Sequence, residues 1–317
     1  MPTIAIPQTG TASTRTEVIR PTMCGHNSLF VGQIGDWTWD AVSEQCGIDV
    51  LRARNRAGDP TYLSFYYFRI RGGPAFHLHT PAFGDQLAVT SRVFGFGSES
   101  VLTLHRIAPV PDGVAAVPSA SGWFEPSDFY AAPDPGCLYV ENFNRWVTRG
   151  QARTNTDLVR SSPRGFRYEH LPVLPAAYSP RKICREARIG LSFLSEPGWQ
   201  PGAVLTASYQ VDLTRDLNGA GLLYFASYFS IIDWGLWRMW QQLGRGGHAF
   251  LARVVTDQQV CYLGNADAGA GIEVTLQHWQ RAGGGSAEAF DVVLREESSR
   301  RLLAVCTLRL SQERNHD

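Results

Sequence analysis

Two hydrophobic rhythms alternate along this chain, and their succession occurs twice. The most apolar stretch, "DLNGAGLLYFASYFSIIDWGLWRMW" (216–240), opens with a polar, turn-rich segment and continues into aliphatic and aromatic residues. Crossing a bilayer takes about 20 mostly apolar residues. Here Ser227, Ser230 and Asp233 interrupt the run and Arg238 ends it, so the pattern predicts a buried core helix over Gly221 to Leu243. An earlier segment, "CGHNSLFVGQIGDWTWDAVSEQCG" (24–47), is built the same way. Both segments carry Gly and Asn at the opening, Asp-Trp in the middle, another Trp soon after, and a terminal Gly suited to a helix C-cap.

Period-two alternation follows each predicted helix. "FGDQLAVTSRVFGFGSESVLTLHRI" (83–107) and "GAGIEVTLQHWQRAGGGSAEAFDVVLRE" (269–296) each read as strand, Gly-rich hairpin turn and strand. A third strand is expected after each pair, in "AVPSASGWFEP" (116–126) and "LLAVCTLRL" (302–310). Between the halves lies a Pro- and Arg-rich linker with a short helix near Pro180 to Arg188, and a strand from Val204 to Leu213 opens the second unit. The expected division is 1–160 and 161–317, with the boundary near residue 160.

Composition narrows the class. With 317 residues, 44% hydrophobic and 18% charged, the chain can bury a substantial core. Its net charge of zero gives no bulk attraction for nucleic acid. The N-terminus "MPTIAIPQTGTASTRTEVIR" has no secretory-signal pattern, which predicts a soluble, cytoplasmic protein. The 6 cysteines include no C-x-x-C pair and read as reduced, buried thiols. His77 and His79 could share a strand face, but no convincing third ligand accompanies them, so no metal is expected. Lys182 is the sole lysine among 29 basic residues, leaving one candidate for lysine chemistry.

A duplicated long helix wrapped by a curled antiparallel sheet resembles the double hot-dog fold, on the residues "DLNGAGLLYFASYFSIIDW" and "GDQLAVTSRVFGFGSESVLTLHRI". The expected architecture is α+β, with two antiparallel sheets each wrapped around a long central helix. In this fold the loop before the helix offers backbone N–H groups, and the helix dipole adds positive potential. Such donors can hold a thioester oxygen as it becomes negative. Candidates are Gly25, His26 and Asn27 in the first unit, and Asn218, Gly219, Ala220 and Gly221 in the second. Asp216 could activate water or simply cap a turn. Asp233 lacks the His partner seen in hot-dog dehydratases, and no G-x-S-x-G elbow is present.

"GDPTYLSFYYFRIRGG" (58–73) reads as a strand with Tyr62, Ser64 and Tyr66 on one face. Here the whole chain resembles the bifunctional acyltransferase/decarboxylase family of leinamycin-type polyketide biosynthesis. The resemblance implies decarboxylation of methylmalonyl-CoA and delivery of a propionyl group to the phosphopantetheine of an acyl carrier protein, with no cofactor of the enzyme's own. It also implies that Tyr62, at the start of this strand, is the key active-site residue, with Ser64 beside it. Its role is open between acyl acceptor, carboxylate ligand and proton donor; His26 and Asn27 are possible orienting groups. A hot-dog thioesterase and a non-catalytic carrier-binding domain are the competing readings. Two basic clusters are candidate carrier-docking surfaces: Arg149, Arg153, Arg160, Arg164 and Arg167, and separately Arg181, Lys182, Arg185 and Arg188. One chain already supplies two hot-dog units, so either a monomer or a homodimer is compatible with the fold.

Overall fold

The computed structural model describes residues 12–111, 125–282 and 287–311. The order is β1 (Ser13–Val18), α1 (Asn27–Cys46), β2 (Tyr62–Arg71), β3 (Gln86–Gly95), β4 (Ser100–Pro109), α2 (Pro126–Ala131), β5 (Leu138–Arg149) and β6 (Leu158–Arg160). Then come α3 (Pro180–Gly190), β7 (Trp199–Gln210), α4 (Phe225–Gln242), α5 (Gly247–Leu251), β8 (Val254–Tyr262), β9 (Gly271–Arg281), β10 (Ala287–Glu296) and β11 (Leu302–Ser311).

The strands form one 11-stranded sheet in the order β1-β3-β4-β5-β2-β8-β11-β10-β9-β7, with β6 paired to β5. Read outward from the centre, β2-β5-β4-β3-β1 repeats as β8-β11-β10-β9-β7. This is the double hot-dog fold. The two antiparallel sheets expected from the sequence are joined edge to edge where Tyr67 to Arg71 of β2 pairs with Cys261 to Asp257 of β8.

Each long helix lies along one face of its half of the sheet. Both are apolar over most of their circumference, as buried helices are. Phe30, Val31 and Ile34 of α1 share a continuous core with Phe229, Ile232 and Leu236 of α4. The helices approach closely at Gly35, where an added Cβ would lie 2.2 Å from the Phe225 ring. Glycine is therefore required there by space rather than by backbone angle. Gly47 caps α1 in the left-handed conformation, as its position in the sequence suggested.

The opposite face of the sheet is covered by the connection between the halves. Cys184 and Ala187 of α3 bury against Tyr67, Phe143 and Cys261 at the central seam. All six cysteines are buried and free. The third strand expected at 116–126 falls mostly outside the described residues, and Pro126 begins α2. The strand that follows the β3–β4 hairpin in the sheet, on the far side of β4, is β5, which the sequence pattern did not reveal. No helix among the described residues is long and apolar enough to cross a membrane.

Candidate functional site

Beyond Tyr67, toward its N-terminus, β2 keeps β5 on one side but loses β8 on the other, and Tyr62 to Tyr66 face a gap in the sheet. A cavity of about 930 Å³ fills this gap. One wall is the β2 segment with Arg145 of β5, and the other is the loop and first turn that open α4. Trp39 and Phe65 give it an apolar floor. Phe225 closes it, stacked on Phe65 with ring centroids 4.0 Å apart.

The loop before α4 is held rigidly. Asn218 Oδ1 accepts from the amides of Ala220 (3.0 Å) and Leu222 (3.1 Å), while the Gly221 amide donates to the Asn218 carbonyl at 2.8 Å. Gly221 has φ +72, a left-handed angle that favours glycine. Arg149 donates to the Ala220 carbonyl at 2.6 Å, and Asn155 Nδ2 donates to the Gly221 carbonyl at 2.7 Å. Asn265 exchanges two hydrogen bonds with the Leu223 backbone, at 3.0 and 2.9 Å.

This pinning decides which amides remain available. Asn218, Ala220 and Gly221 spend theirs inside the turn, whereas the Gly219 amide has no partner among the described residues. Phe225 opens α4, so its amide has no intrahelical acceptor. Both residues line the cavity.

The lining chemistry is one-sided. No Asp, Glu, His, Lys or Cys is among the described residues that line the cavity. Its ionisable groups are Arg145, Arg160 and Arg301 and five tyrosines: 62, 66, 224, 228 and 262. Burial pushes the phenols of Tyr66, Tyr224, Tyr228 and Tyr262 above their usual value, so these stay protonated at neutral pH. Tyr228 donates to the Gly264 carbonyl at 2.7 Å and Tyr262 to the Phe225 carbonyl at 3.3 Å. The half-buried Tyr62 hydroxyl has no partner among the described residues. Ser64 lies directly across the ladder from Arg145, whose guanidinium carbon stacks 3.4 Å from the centroid of Tyr66.

Tyr62, Ser64, Asn218 and Gly219 therefore come together, with Gly221 in the pinned turn behind them. Gly25, His26 and Asn27 do not line this cavity. Asn27 instead donates to Asp233 Oδ2 at 2.9 Å and accepts from His79, while His26 bonds Ser28. Asp233 also takes Arg253 Nη2 at 2.9 Å. Burial pushes the Asp233 carboxyl up, and Arg253 and Asn27 pull it back down. Asp216 is fully buried, accepting from Tyr209 (2.7 Å) and the Asp212 amide (2.8 Å); it locks a turn. No group of three or more His, Cys, Asp or Glu among the described residues is arranged to hold a metal ion. The pattern reading missed Arg145 and Arg301 altogether, because only strand pairing brings them to the gap.

Sequence comparison fixes the family of this double hot-dog chain. The chain belongs to the family of the LnmK N-terminal hot dog fold domain, whose profile matches residues 14–195. No curated protein matches the sequence. Among solved structures it is similar to an acyl-ACP thioesterase from Bacteroides thetaiotaomicron, at 10% identity and a TM-score of 0.52 over 95% of this chain and 98% of that one. It is also similar to the 12:0-ACP thioesterase from Umbellularia californica, at 11% identity and a TM-score of 0.53 over 95% and 96%. At such identities these two likenesses establish the fold.

Proposed function

We propose that this protein is a bifunctional acyltransferase/decarboxylase that converts methylmalonyl-CoA into a propionyl group on an acyl carrier protein in polyketide biosynthesis. The observation that carries the reading is the acid-free, arginine-lined cavity with the unpartnered Tyr62 hydroxyl in its wall. A water-activating hydrolase needs a general base at the thioester, and no carboxylate or imidazole is among the described residues that line this cavity. Guanidinium groups suit a substrate bearing a carboxylate and phosphates.

In the proposed reaction the C–C bond to the carboxylate breaks and CO2 leaves. The bonding electrons pass into the thioester, whose oxygen takes the enolate charge. The Gly219 amide and the first-turn amide of Phe225, reinforced by the α4 dipole, are the donors for that oxygen. A proton from solvent then returns to the carbon. The acyl group leaves the CoA sulfur either for the Tyr62 oxygen, with the phenol proton going to the CoA thiolate, and passes from there to the carrier thiol, whose proton restores the phenol, or directly for the carrier thiol, whose proton goes to the CoA thiolate. A propionyl-sized adduct on the Tyr62 peptide marks the first route.

The carrier would dock at the cavity rim. Arg149 and Arg164 are each tied to a backbone carbonyl, of Ala220 and Arg56, but Arg153, Arg160 and Arg167 are exposed, and Arg160 lines the cavity itself. In the α3 cluster, Arg181 is tied to the Phe96 carbonyl at 3.1 Å and Lys182 sits 3.8 Å from Glu186. The first cluster therefore keeps more free charge for an acidic partner. The test is incubation with methylmalonyl-CoA, with and without carrier protein, followed by mass analysis of both. CO2 and propionyl-carrier support the proposal; free acid with CoA points to a thioesterase; binding without turnover points to a carrier-binding module.

A further inference from the structure

The three cavity arginines are not equivalent. Arg301 is committed, donating to the Asn265 carbonyl at 2.7 Å and lying 3.4 Å from Glu296. Arg160 is exposed on the three-residue strand β6. Arg145 alone is half-buried in the wall with no carboxylate or carbonyl partner among the described residues. Its neighbours are the ring of Tyr66, on which it stacks, Ser64 across the ladder, and Phe143 at 5.7 Å. A partly desolvated guanidinium that has the Tyr66 hydroxyl as its polar partner, but no carboxylate counter-charge among the described residues, is costly to keep. An incoming anion recovers that cost.

We propose that Arg145 is a specificity-determining residue: it binds the free carboxylate of a malonyl-type acyl group and selects such substrates over neutral acyl thioesters of the same size. This inference rests on the decarboxylase reading above. The placement fits the chemistry. Tyr62, Ser64 and Arg145 share the wall opposite Gly219 and Phe225. An acyl group spanning the cavity can thus direct its carboxylate to one wall and its thioester oxygen to the other. Anchoring the carboxylate fixes the orientation of the bond that breaks. The same contact stabilises the ground state, because the charge leaves the carboxylate as CO2 forms. A contact weaker in the transition state than in the ground state lowers KM without raising kcat.

The experiment compares methylmalonyl-CoA with isobutyryl-CoA, which replaces the carboxylate by a methyl group. Wild type and Arg145→Met are assayed for KM and kcat with the first and for Kd with the second. Expected is a rise in KM of about 10–100-fold, the loss of one charge-assisted contact, with kcat unchanged or higher and the isobutyryl-CoA Kd unmoved. An equal loss for both ligands would overturn the proposal, placing the guanidinium on a CoA phosphate. So would no change for either, which would leave it a purely structural stack. Arg145→Lys keeps the charge but not the fork, and recovery of part of the methylmalonyl-CoA affinity separates charge from folding defects. If wild type releases no CO2, the functional reading falls by itself, and the calorimetric Kd pair for the two thioesters still decides the role of Arg145.

Discussion

The two halves share a strand order but not an interior. In the second half, the β11 positions under α4 are Ala304, Cys306, Leu308 and Leu310, all apolar and buried. In the first half, the β5 positions under α1 include Asn142 and Asn144, and β4 adds Thr103 and His105. Asn142 Nδ2 donates to Thr38 of α1 at 2.6 Å, and His105 links Thr38 (2.9 Å) to Ser91 (2.8 Å). Both side-chain polar atoms of Asn144 and the indole nitrogen of Trp146 are buried without a partner among the described residues. Such orphans each cost about 1–3 kcal/mol. The two ends of the central seam differ as well. One end opens into the cavity, while the opposite end holds the Asn27–Asp233–Arg253 knot. Duplication has left the central strand under α4 apolar and its counterpart under α1 polar.

The sharpest way to break this comparison is to injure the two ends separately. Tyr62→Phe removes one hydroxyl and keeps the ring volume. Turnover of methylmalonyl-CoA should fall about 100–10,000-fold, the range of a lost acid–base or nucleophilic contact, with the melting temperature unchanged. Full activity would remove Tyr62 from the mechanism. At the other end, Asp233→Ala strands Arg253, whose side chain is 3% exposed. Stability should drop about 3–5 kcal/mol, measured by denaturant titration, while the protein that remains folded keeps its turnover. A catalytic defect in the folded Asp233→Ala protein would mean that both ends work.

Why one end was legible in the sequence and the other misleading follows from the duplication. The helices announce themselves as long apolar runs, and the hairpins β3–β4 and β9–β10 by alternation of apolar and polar positions. β5 stayed hidden because polar residues are buried on both of its faces, Asn142 and Asn144 on one and Glu141 on the other. Two Gly/Asn loops of similar sequence suggested two sets of oxyanion donors, but pattern alone carries no information on which loop faces open space. Tyr62 and Gly219 meet through the gap between β2 and β8, a consequence of strand pairing. Arg145 meets Ser64 by the same long-range register.

The smaller test uses the seam's other face. Glu141 lies opposite Arg69 in the ladder, fully buried; Tyr130 donates to its Oε1 at 2.7 Å, and its Oε2 has no partner among the described residues. In the second half the corresponding register places Thr307 opposite Gln259, with its hydroxyl bonded to Asp291. Burial pushes the Glu141 carboxyl up from 4.5 to about 7, against the pull of Tyr130 and Arg69. The folded protein thus retains a proton that the unfolded chain releases above pH 4.5, and stability is lost as pH rises from there through about 7. His105, which burial lowers to about 3, acts oppositely: the unfolded chain takes up its proton below about pH 6.5, so acid destabilises. Glu141→Gln abolishes the first dependence and keeps the second. Against wild type it should be nearly isostable at pH 4.5 and more stable by up to about 3 kcal/mol at pH 8, read from urea midpoints at several pH values. Parallel stability curves for the two proteins would show that Glu141 is ionised in the fold, and that its orphaned oxygen is satisfied in solution.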